Sequence, residues 1–360
     1  TVKKIEPTRT PQGIWQDSIV IETDKENPVS FPTPRSDGEV NDLSPDDIIS
    51  IVGDCGIVGL GGATFPTRVK LSVPKGKTAE FVLINGAECE PCLTCDDALM
   101  RRDADKIVKG TLLIMKATGA KAGMIGIEEN KPEAIKSMSD AAGKYSNLDV
   151  VTLKKKYPQG GEKQLIYAIT GRTVPAGSLP IETGCIVDNV ATAYAVYDAV
   201  YNRRPLTERI LTVTGPEVPN PGNFLVKNGT SLLEIMKFAG GVPEDTGKII
   251  AGGPMMGRAV SSLESSATKG LSGLVVLPES TSLRKPEGPC IRCGRCVSVC
   301  PMGLEPYLLM LQADVKRWDD MSQSGVLNCL ECGCCTYSCP ANRPLLDMIK
   351  LGKQELRKIK

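Results

Sequence analysis

The 360-residue chain contains no histidine. Imidazole acid–base catalysis, Rieske-type centres and histidine-ligated haem are therefore excluded from what this polypeptide can supply. No apolar run reaches the length of a bilayer span, and no secretory signal is visible. Net charge is +1, from 43 basic and 42 acidic residues. That leaves no basic footprint, so nucleic acid is not an expected partner. An initial methionine is missing too: the chain opens Thr1-Val-Lys-Lys and reads as a processed or partly visible product. The length accommodates roughly two to four domains with cores of their own. Whatever reaction occurs must be carried largely by cofactors.

Cysteine is what the chain has in quantity. There are 14, and eight fall into two matching runs. The first is Cys290-Ile-Arg-Cys293-Gly-Arg-Cys296-Val-Ser-Val-Cys300-Pro301; the second is Cys329-Leu-Glu-Cys332-Gly-Cys-Cys335-Thr-Tyr-Ser-Cys339-Pro340. Each is C-x2-C-x2-C-x3-C-P, the spacing that wraps thiolates around a [4Fe–4S] cubane. In two-cluster proteins of this pattern the fourth cysteine of each run serves the other cluster. The expected sets are thus Cys290, Cys293, Cys296 and Cys339 for one cluster, and Cys329, Cys332, Cys335 and Cys300 for the other. Zinc knuckles or disulfides would not require two copies with the same x3-C-P tail. Eight cysteines in cluster spacing also fit a reducing compartment better than a disulfide scaffold. Cys334 stands outside the spacing. The chain moves single electrons.

Upstream, residues 1–24 read as a β-hairpin and 27–41 as a polar, proline-rich linker. Ser44-Pro45-Asp46-Asp47 opens a helix: a cap, a proline at the first position and two carboxylates at the positive end of the dipole. Gly59-Leu-Gly61-Gly62-Ala-Thr-Phe65-Pro-Thr67 follows, with Lys70 beyond it. Its glycines let main chain approach a bulky ligand and turn amides toward phosphate. Thr64 occupies the third glycine position of G-x-G-x-x-G, so the dinucleotide fingerprint fails, and taken alone this stretch is better read as a plain glycine turn. A strand from Glu80 to Ile84 leads into Asn85-Gly-Ala-Glu88-Cys-Glu90-Pro-Cys-Leu-Thr-Cys-Asp96-Asp97, polar and acidic groups placed just past a strand end as in a ligand crevice. One long helix is expected from Asp96 to Ala117. Strand 122–127, helix 132–142 and strand 148–153 continue the alternation. The class is α/β, with a largely parallel sheet and helices on its faces. Gly160-Gly161-Glu162 opens a further helix in a ligand-facing manner. Asp188 opens another, through Tyr201, where capping alone accounts for the aspartate.

From Arg209 a compact unit of strands and one helix resembles a β-grasp module, followed by a polar linker, 261–285, around one apolar strand, 274–277. Helices at 304–318 and 344–359 follow the two cysteine runs, and the basic end, 350–360, reads as a solvated helix end. Cys89-x2-Cys92-x2-Cys95 has ferredoxin spacing as well, with Cys55 or Cys185 available as a fourth ligand. No C-P tail follows, and packing near the ligand is the better reading of these thiols.

The glycine loop, Asn85-Gly-Ala-Glu-Cys-Glu-Pro91, Asp188-Asn-Val-Ala-Thr192 and the paired cluster runs together resemble the FMN- and NADH-binding subunit of respiratory complex I. Over almost the whole chain, including Asn342-Arg-Pro-Leu-Leu-Asp and Leu351-Gly-Lys-Gln-Glu-Leu-Arg near its end, the sequence is similar to the RnfC family, the C subunits of Rnf electron-transport complexes. The resemblance implies four parts. Residues 1–41 would be the end of an N-terminal barrel-sandwich module with its linker, and 42–206 a Rossmann-like FMN/NADH-binding α/β domain. Residues 207–280 would be an SLBB β-grasp unit, and 281–360 a helical two-[4Fe–4S] ferredoxin-like domain. It further implies that Gly59, Gly61 and Gly62 line FMN with Lys70 at its polar edge. Asn85, Asp188, Asn189 and Thr192 would hold ring or phosphoribityl groups. Phe65 would stack on nicotinamide, and Glu90 and Glu162 would meet the nucleotide. Glu88, Gly160 and Gly161 complete that cofactor-facing set. Ala87 stands where complex I has aspartate, and Cys89 where it has glycine, which removes one polar contact and narrows the nucleotide pocket.

The implied activity is hydride exchange between NADH and FMN, then one-electron transfer through two [4Fe–4S] clusters. Neither step needs a protein acid or base. Implied partners are the other Rnf subunits, including membrane subunits and a ferredoxin-type subunit, in an ion-translocating ferredoxin:NAD oxidoreductase. The place would be peripheral, on the cytoplasmic face of the cell membrane. Two alternatives stand beside it: a soluble reductase on the same scaffold, serving corrin or proline reductase, and an electron wire without a nucleotide site.

Overall fold

The computed structural model describes residues 1–11, 13–24 and 29–359. It divides into two compact units, Thr1–Val174 with Leu179–Glu279, and Ser280–Lys360 with Pro175–Ser178.

The first unit begins with an antiparallel hairpin, β1 (Val2–Arg9) and β2 (Trp15–Ile21), paired Val2 to Ile21 and Arg9 to Trp15. Part of the expected linker is helical, Asp37–Asn41, because Ser36 and Glu39 close a capping box. Residues 25–28 of that linker lie outside the described residues. The helix Pro45–Asp54 starts as its sequence requires: Asp47 N–H donates to Ser44 Oγ, and the Asp47 carboxylate accepts the Ser44 N–H at 2.8 Å.

Four strands form a wholly parallel sheet: β3 (Phe81–Gly86), β4 (Ala122–Glu128), β5 (Leu148–Leu153) and β6 (Cys185–Asn189), ordered β5-β4-β3-β6. Val82, Leu83 and Ile84 are all fully buried, as expected for a parallel strand covered on both faces. Val82 and Ile84 face the helices Pro45–Asp54, Ala104–Thr118, Pro132–Ala142 and Val190–Tyr201. Leu83 faces Leu165 and Ile166 of the helix Glu162–Thr170. The result is a helix–sheet–helix sandwich. The long helix expected over 96–117 is instead two, Cys95–Arg102 and Ala104–Thr118. Asp103 breaks it with non-helical backbone (φ −125°, ψ 35°), its carboxylate drawn to Arg102 and Lys106. The strand β6 has no counterpart in the sequence pattern.

A second sheet follows: β7 (Glu208–Thr214), β8 (Gly222–Lys227), β9 (Thr246–Ala251), β10 (Arg258–Ala259) and β11 (Gly273–Pro278), ordered β10-β9-β11-β7-β8. The helix Leu232–Phe238, capped by Ser231, shares its core. The apolar strand expected within a linker is β11, the middle of this sheet, parallel to β7 and antiparallel to β9. Its residues 273–276 are buried, because both its edges are paired.

In the second unit short helices Arg295–Ser298 and Cys334–Tyr337 continue the two cysteine runs. The helices Pro306–Asp314, Trp318–Gln323 and Leu345–Ile359 share a core of Leu309, Met310, Met321, Val326 and Ile349.

Candidate functional site

Strand order reverses between β3 and β6. From β3 the chain moves outward to β4 and β5, then returns to β6 on the other side of β3. Two consecutive crossovers leaving in opposite directions open a crevice beyond the carboxyl ends of these strands. Asn85, the last residue but one of β3, and Asn189, which closes β6, are directly paired in register there, with Ile84 opposite Asp188. Most of the predicted residues lie on the elements that border this edge.

Each is held by an identifiable contact. The Leu60 N–H of the glycine loop donates to Thr192 Oγ1 at 2.9 Å, both buried. The loop folds on itself through Gly59 N–H to the Phe65 carbonyl (2.8 Å) and Thr64 N–H to the Gly59 carbonyl (3.2 Å). Gly62 has φ +107° and open space where a Cβ would project, while Gly61 passes close to Asn189. Phe65 is half exposed. Asn85 Nδ2 donates to the Gly160 carbonyl at 2.8 Å, and its Oδ1 accepts from Ala87 N–H. A side chain at Gly160 would overlap the Ala87 carbonyl, so the 157–161 turn can lie against β3 only as glycine. Gly161 is the residue before the helix Glu162–Thr170.

Asp188 is the most unusual group. The sequence pattern suggests a helix cap; the structure gives that task to Asn189, whose Oδ1 accepts from Ala191 N–H at 2.8 Å. Asp188 lies one residue earlier, still in the strand, with both carboxylate oxygens buried and accepting no hydrogen bond. Lys70 Nζ stands 3.5 Å away, donating to the Val187 carbonyl at 2.6 Å, with Glu162 at 3.7 Å. Burial pushes the Asp188 carboxyl up to about 6, against the pull of Lys70.

Two predicted residues have other tasks. Glu88 caps the helix Cys95–Arg102, accepting from Asp96 N–H (2.9 Å) and Asp97 N–H (3.2 Å), with Lys131 at 3.5 Å. Burial, and then Asp96, raise it to about 7. Glu90 spends both oxygens on Met255 N–H (3.0 Å) and Met256 N–H (2.7 Å), fastening the turn after β9. In this structure both carboxylates are engaged by main-chain donors, two each. Asp96, which the sequence places in the acidic stretch without singling it out, has an enclosed carboxylate that accepts from Asn189 Nδ2 at 2.7 Å. Its neighbour Asp97 pairs instead with Arg101 one turn on, and nothing in the one-dimensional pattern separates the two. A cavity of about 380 Å³ opens on the far side of Asp96, among Leu99, Tyr194 and Arg209, and none of the predicted residues lines it.

Cys89, Cys92 and Cys95 are drawn to three surroundings. Cys89 Sγ accepts from Gly160 N–H, Cys95 donates to the Ser272 carbonyl at 3.4 Å, and Cys92 is exposed. Cys185 is buried on β6 and Cys55 ends the helix Pro45–Asp54, so no fourth ligand joins them.

In the second unit, Cys290, Cys293, Cys296 and Cys339 line one cavity of about 680 Å³. Cys300, Cys329, Cys332 and Cys335 line another, far tighter at about 20 Å³. Each cavity takes the three motif-spaced cysteines of one run and the last cysteine of the other, and Cys334 lines the second cavity as a fifth thiol. Main-chain amides point at the sulfurs: Leu304 N–H to Cys300 and Glu331 N–H to Cys329, each at 3.4 Å. Burial and the neighbouring Cys329 hold the Cys335 thiol up at about 12. Crowded soft donors of this kind ionise together only around a metal.

The fit to cofactors rests on these features. The cysteine sets offer four thiols each and nothing harder, which suits iron–sulfur clusters. The crevice offers buried Asp188 oxygens that face only the Lys70 ammonium at 3.5 Å, and an open glycine loop, which suits a polar-edged ring with a phosphate tail.

Comparison with known proteins agrees with this division. Residues 52–198 match the Nuo51 FMN-binding domain, 210–259 the SLBB domain and 283–341 a 4Fe-4S dicluster domain. The chain is 42% identical over 339 residues to the C subunit of the Na(+)-translocating ferredoxin:NAD(+) oxidoreductase complex of Acetobacterium woodii, covering 94% of this chain and 76% of that one. It is 42% identical to the proton-translocating counterpart of Clostridium ljungdahlii, covering 94% and 74%. It is 40% identical to the C subunit of the ion-translocating oxidoreductase complex of Rhodobacter capsulatus, covering 96% and 66%. Among solved structures, an NAD+-reducing [NiFe]-hydrogenase in the H2-reduced state shares the fold, with a TM-score of 0.60 at 17% identity over 94% of this chain and 70% of the other.

Proposed function

The chain belongs to the family of C subunits of ion-translocating ferredoxin:NAD(+) oxidoreductase complexes, and from that membership we propose that it is the subunit through which such a complex exchanges electrons with NADH. The observation that carries the reading is the joint presence, in one chain, of a switch-point crevice and two cysteine-lined cavities. FMN, when bound, supplies hydride acceptance and one-electron release.

The chain's own residues bind and orient. Gly59, Gly61 and Gly62 let main chain approach the ring. Lys70 and Asp188 set the charge at its polar edge, and Asn85, Asn189 and Thr192 fix the loops around it. Phe65, half exposed, offers a face for nicotinamide, with Glu162 near the nucleotide. Gly160 lets the 157–161 turn pack against Ala87 at that edge, and Gly161 leads into the helix Glu162–Thr170. Cys290, Cys293, Cys296 and Cys339 hold one [4Fe–4S] cluster, and Cys300, Cys329, Cys332 and Cys335 the other. Among the described residues no helix is long and apolar enough to cross a membrane. The protein would sit peripherally on the cytoplasmic face, against membrane subunits and a ferredoxin-type subunit.

The test is anaerobic: flavin and iron per chain, then NADH titration followed by visible absorbance and EPR. One FMN, about eight irons and bleaching of the cluster absorbance by NADH are expected. About eight irons with no flavin, or clusters that NADH leaves oxidised, would overturn the reading.

A further inference from the structure

The cluster motif is built twice, and the two copies are finished differently. Aligned by their cysteines, Arg292 corresponds to Glu331 and Arg295 to Cys334. The backbone at the first pair is the same, φ 55° at Arg292 and 60° at Glu331. The surroundings are not. Glu331 is tied by an ion pair of 2.6 Å to Lys353, which is buried and also donates to the Cys329 carbonyl at 3.0 Å. That lysine folds the second loop onto the helix Leu345–Ile359, and Cys332 and Cys335 are buried. The first loop has no such fastening. Cys290 and Cys293 are exposed, as are Ile291, Arg292 and Arg295. No acidic residue occurs within 288–304, and neither guanidinium has an ion-pair partner among the described residues; of the two flanking acids, Glu287 is paired with Arg343 at 2.6 Å and Glu305 accepts from the Tyr307 hydroxyl at 3.2 Å. Exposed Ile291, Tyr307 and Leu311 line the same cavity as the four thiols, an apolar floor inside a cationic edge.

One cluster position is thus insulated and the other is open, positively edged and partly apolar. Electron transfer needs close approach, and a small apolar patch with complementary charge gives fast, specific, reversible encounter rather than tight binding. Resting on the cluster assignment above, we propose that the Cys290–Arg295 loop is the chain's electron port: a docking surface for the acidic face of a partner protein that carries its own one-electron centre. The Cys300/Cys329/Cys332/Cys335 position is an interior relay. One electron crosses per encounter, so that one centre is oxidised as the other is reduced and no bond is made or broken.

The test compares cluster-loaded protein with its Arg292→Glu/Arg295→Glu and milder Arg292→Gln/Arg295→Gln variants. The probe is an acidic two-cluster ferredoxin, and clusters are reduced with dithionite, so the outcome does not depend on whether NADH reduces them. Binding is measured at low and high salt, and electron exchange by stopped flow against both the ferredoxin and a small uncharged dye. The expected result is ferredoxin binding and exchange that weaken with salt. The Glu variant should lose about tenfold or more at low salt together with most of the salt dependence, the Gln variant should lie between, and the dye rates should be unchanged. Unchanged ferredoxin rates in the Glu variant would overturn the port. So would equal slowing with ferredoxin and dye, which would mark damage to the cluster. Binding to phosphatidylglycerol vesicles in place of the ferredoxin would also overturn it, in favour of a lipid-facing loop.

Discussion

Asp188 shows how much one position can hold. Its carboxyl is raised from 3.8 to about 6, chiefly by burial, while Lys70 pulls the other way. The unfolded chain therefore ionises it earlier than the folded protein does. Below about pH 4 both states are protonated and the group is neutral to stability. As pH rises toward 6 a penalty accumulates, and above 6 it is complete. Asp188→Asn lacks that slope. In flavin-free protein, urea denaturation should find the variant gaining on wild type by roughly 2–3 kcal/mol between pH 4 and pH 7; parallel stability–pH curves would show that Asp188 is ionised normally. Thr192 makes a second case. Thr192→Val keeps the shape but leaves the buried Leu60 N–H without an acceptor. The expected cost is about 1–3 kcal/mol, with FMN affinity lowered at least several-fold as the glycine loop loosens. Flavin fluorescence titration reads the second effect, and an unaltered affinity would detach Thr192 from the site.

At the scale of elements, the parallel sheet stands on close helix packing. The helices Ala104–Thr118 and Val190–Tyr201 meet where Gly110 faces the Ala193 carbonyl, and a Cβ there would overlap that carbonyl directly. Helix propensity favours alanine by about 1 kcal/mol. Gly110→Ala should nevertheless destabilise by about 3 kcal/mol, because a backbone carbonyl cannot rotate away; a rise in melting temperature would refute this account of the contact. Such contacts also mark what can be read in advance. Helices whose ends are chemically signalled, Pro45–Asp54 behind Ser44 and Pro132–Ala142 behind its proline, are legible because caps act within one turn. The break at Asp103 is not: apolar spacing runs through it, and the interruption depends on charges reaching back from Arg102 and Lys106. β6 is five residues long and runs straight into a helix, so no turn announces it. β11 looks like a strand isolated in a linker because its partners lie more than 20 residues away in the chain. The crevice is legible in its small residues and its amides, Gly59 to Gly62, Asn85 and Asn189. It is illegible at Glu88 and Glu90, since which carboxylate faces a ligand and which caps a helix is settled by tertiary contacts.

The largest-scale statement in the sequence concerns the second unit, where two runs 39 residues apart are interlaced rather than adjacent. Cys300 lines the cavity of Cys329, Cys332 and Cys335, and Cys339 that of Cys290, Cys293 and Cys296. Each cluster therefore closes the loop between the runs, and loss of one ligand should be felt at the far run rather than the near one. Double substitutions separate this from a local arrangement. If the sets are crossed, Cys300→Ser with Cys332→Ser strikes a single cluster, and about four irons and one EPR signal survive. Cys300→Ser with Cys293→Ser strikes both, and neither signal remains intact. A local arrangement reverses the two results: the first pair would remove both clusters and the second would spare one. Because the two double variants differ only in whether a cysteine of the far run or of the same run accompanies Cys300, any general fragility of the unit affects both alike, and the contrast between them reports connectivity alone. The crossed result also implies coupled assembly, since neither run can complete a cluster until the other is in place. Iron uptake by the apoprotein should then be sigmoidal in iron and sulfide rather than proceeding one run at a time, and two independent, equal steps of cluster absorbance would contradict it.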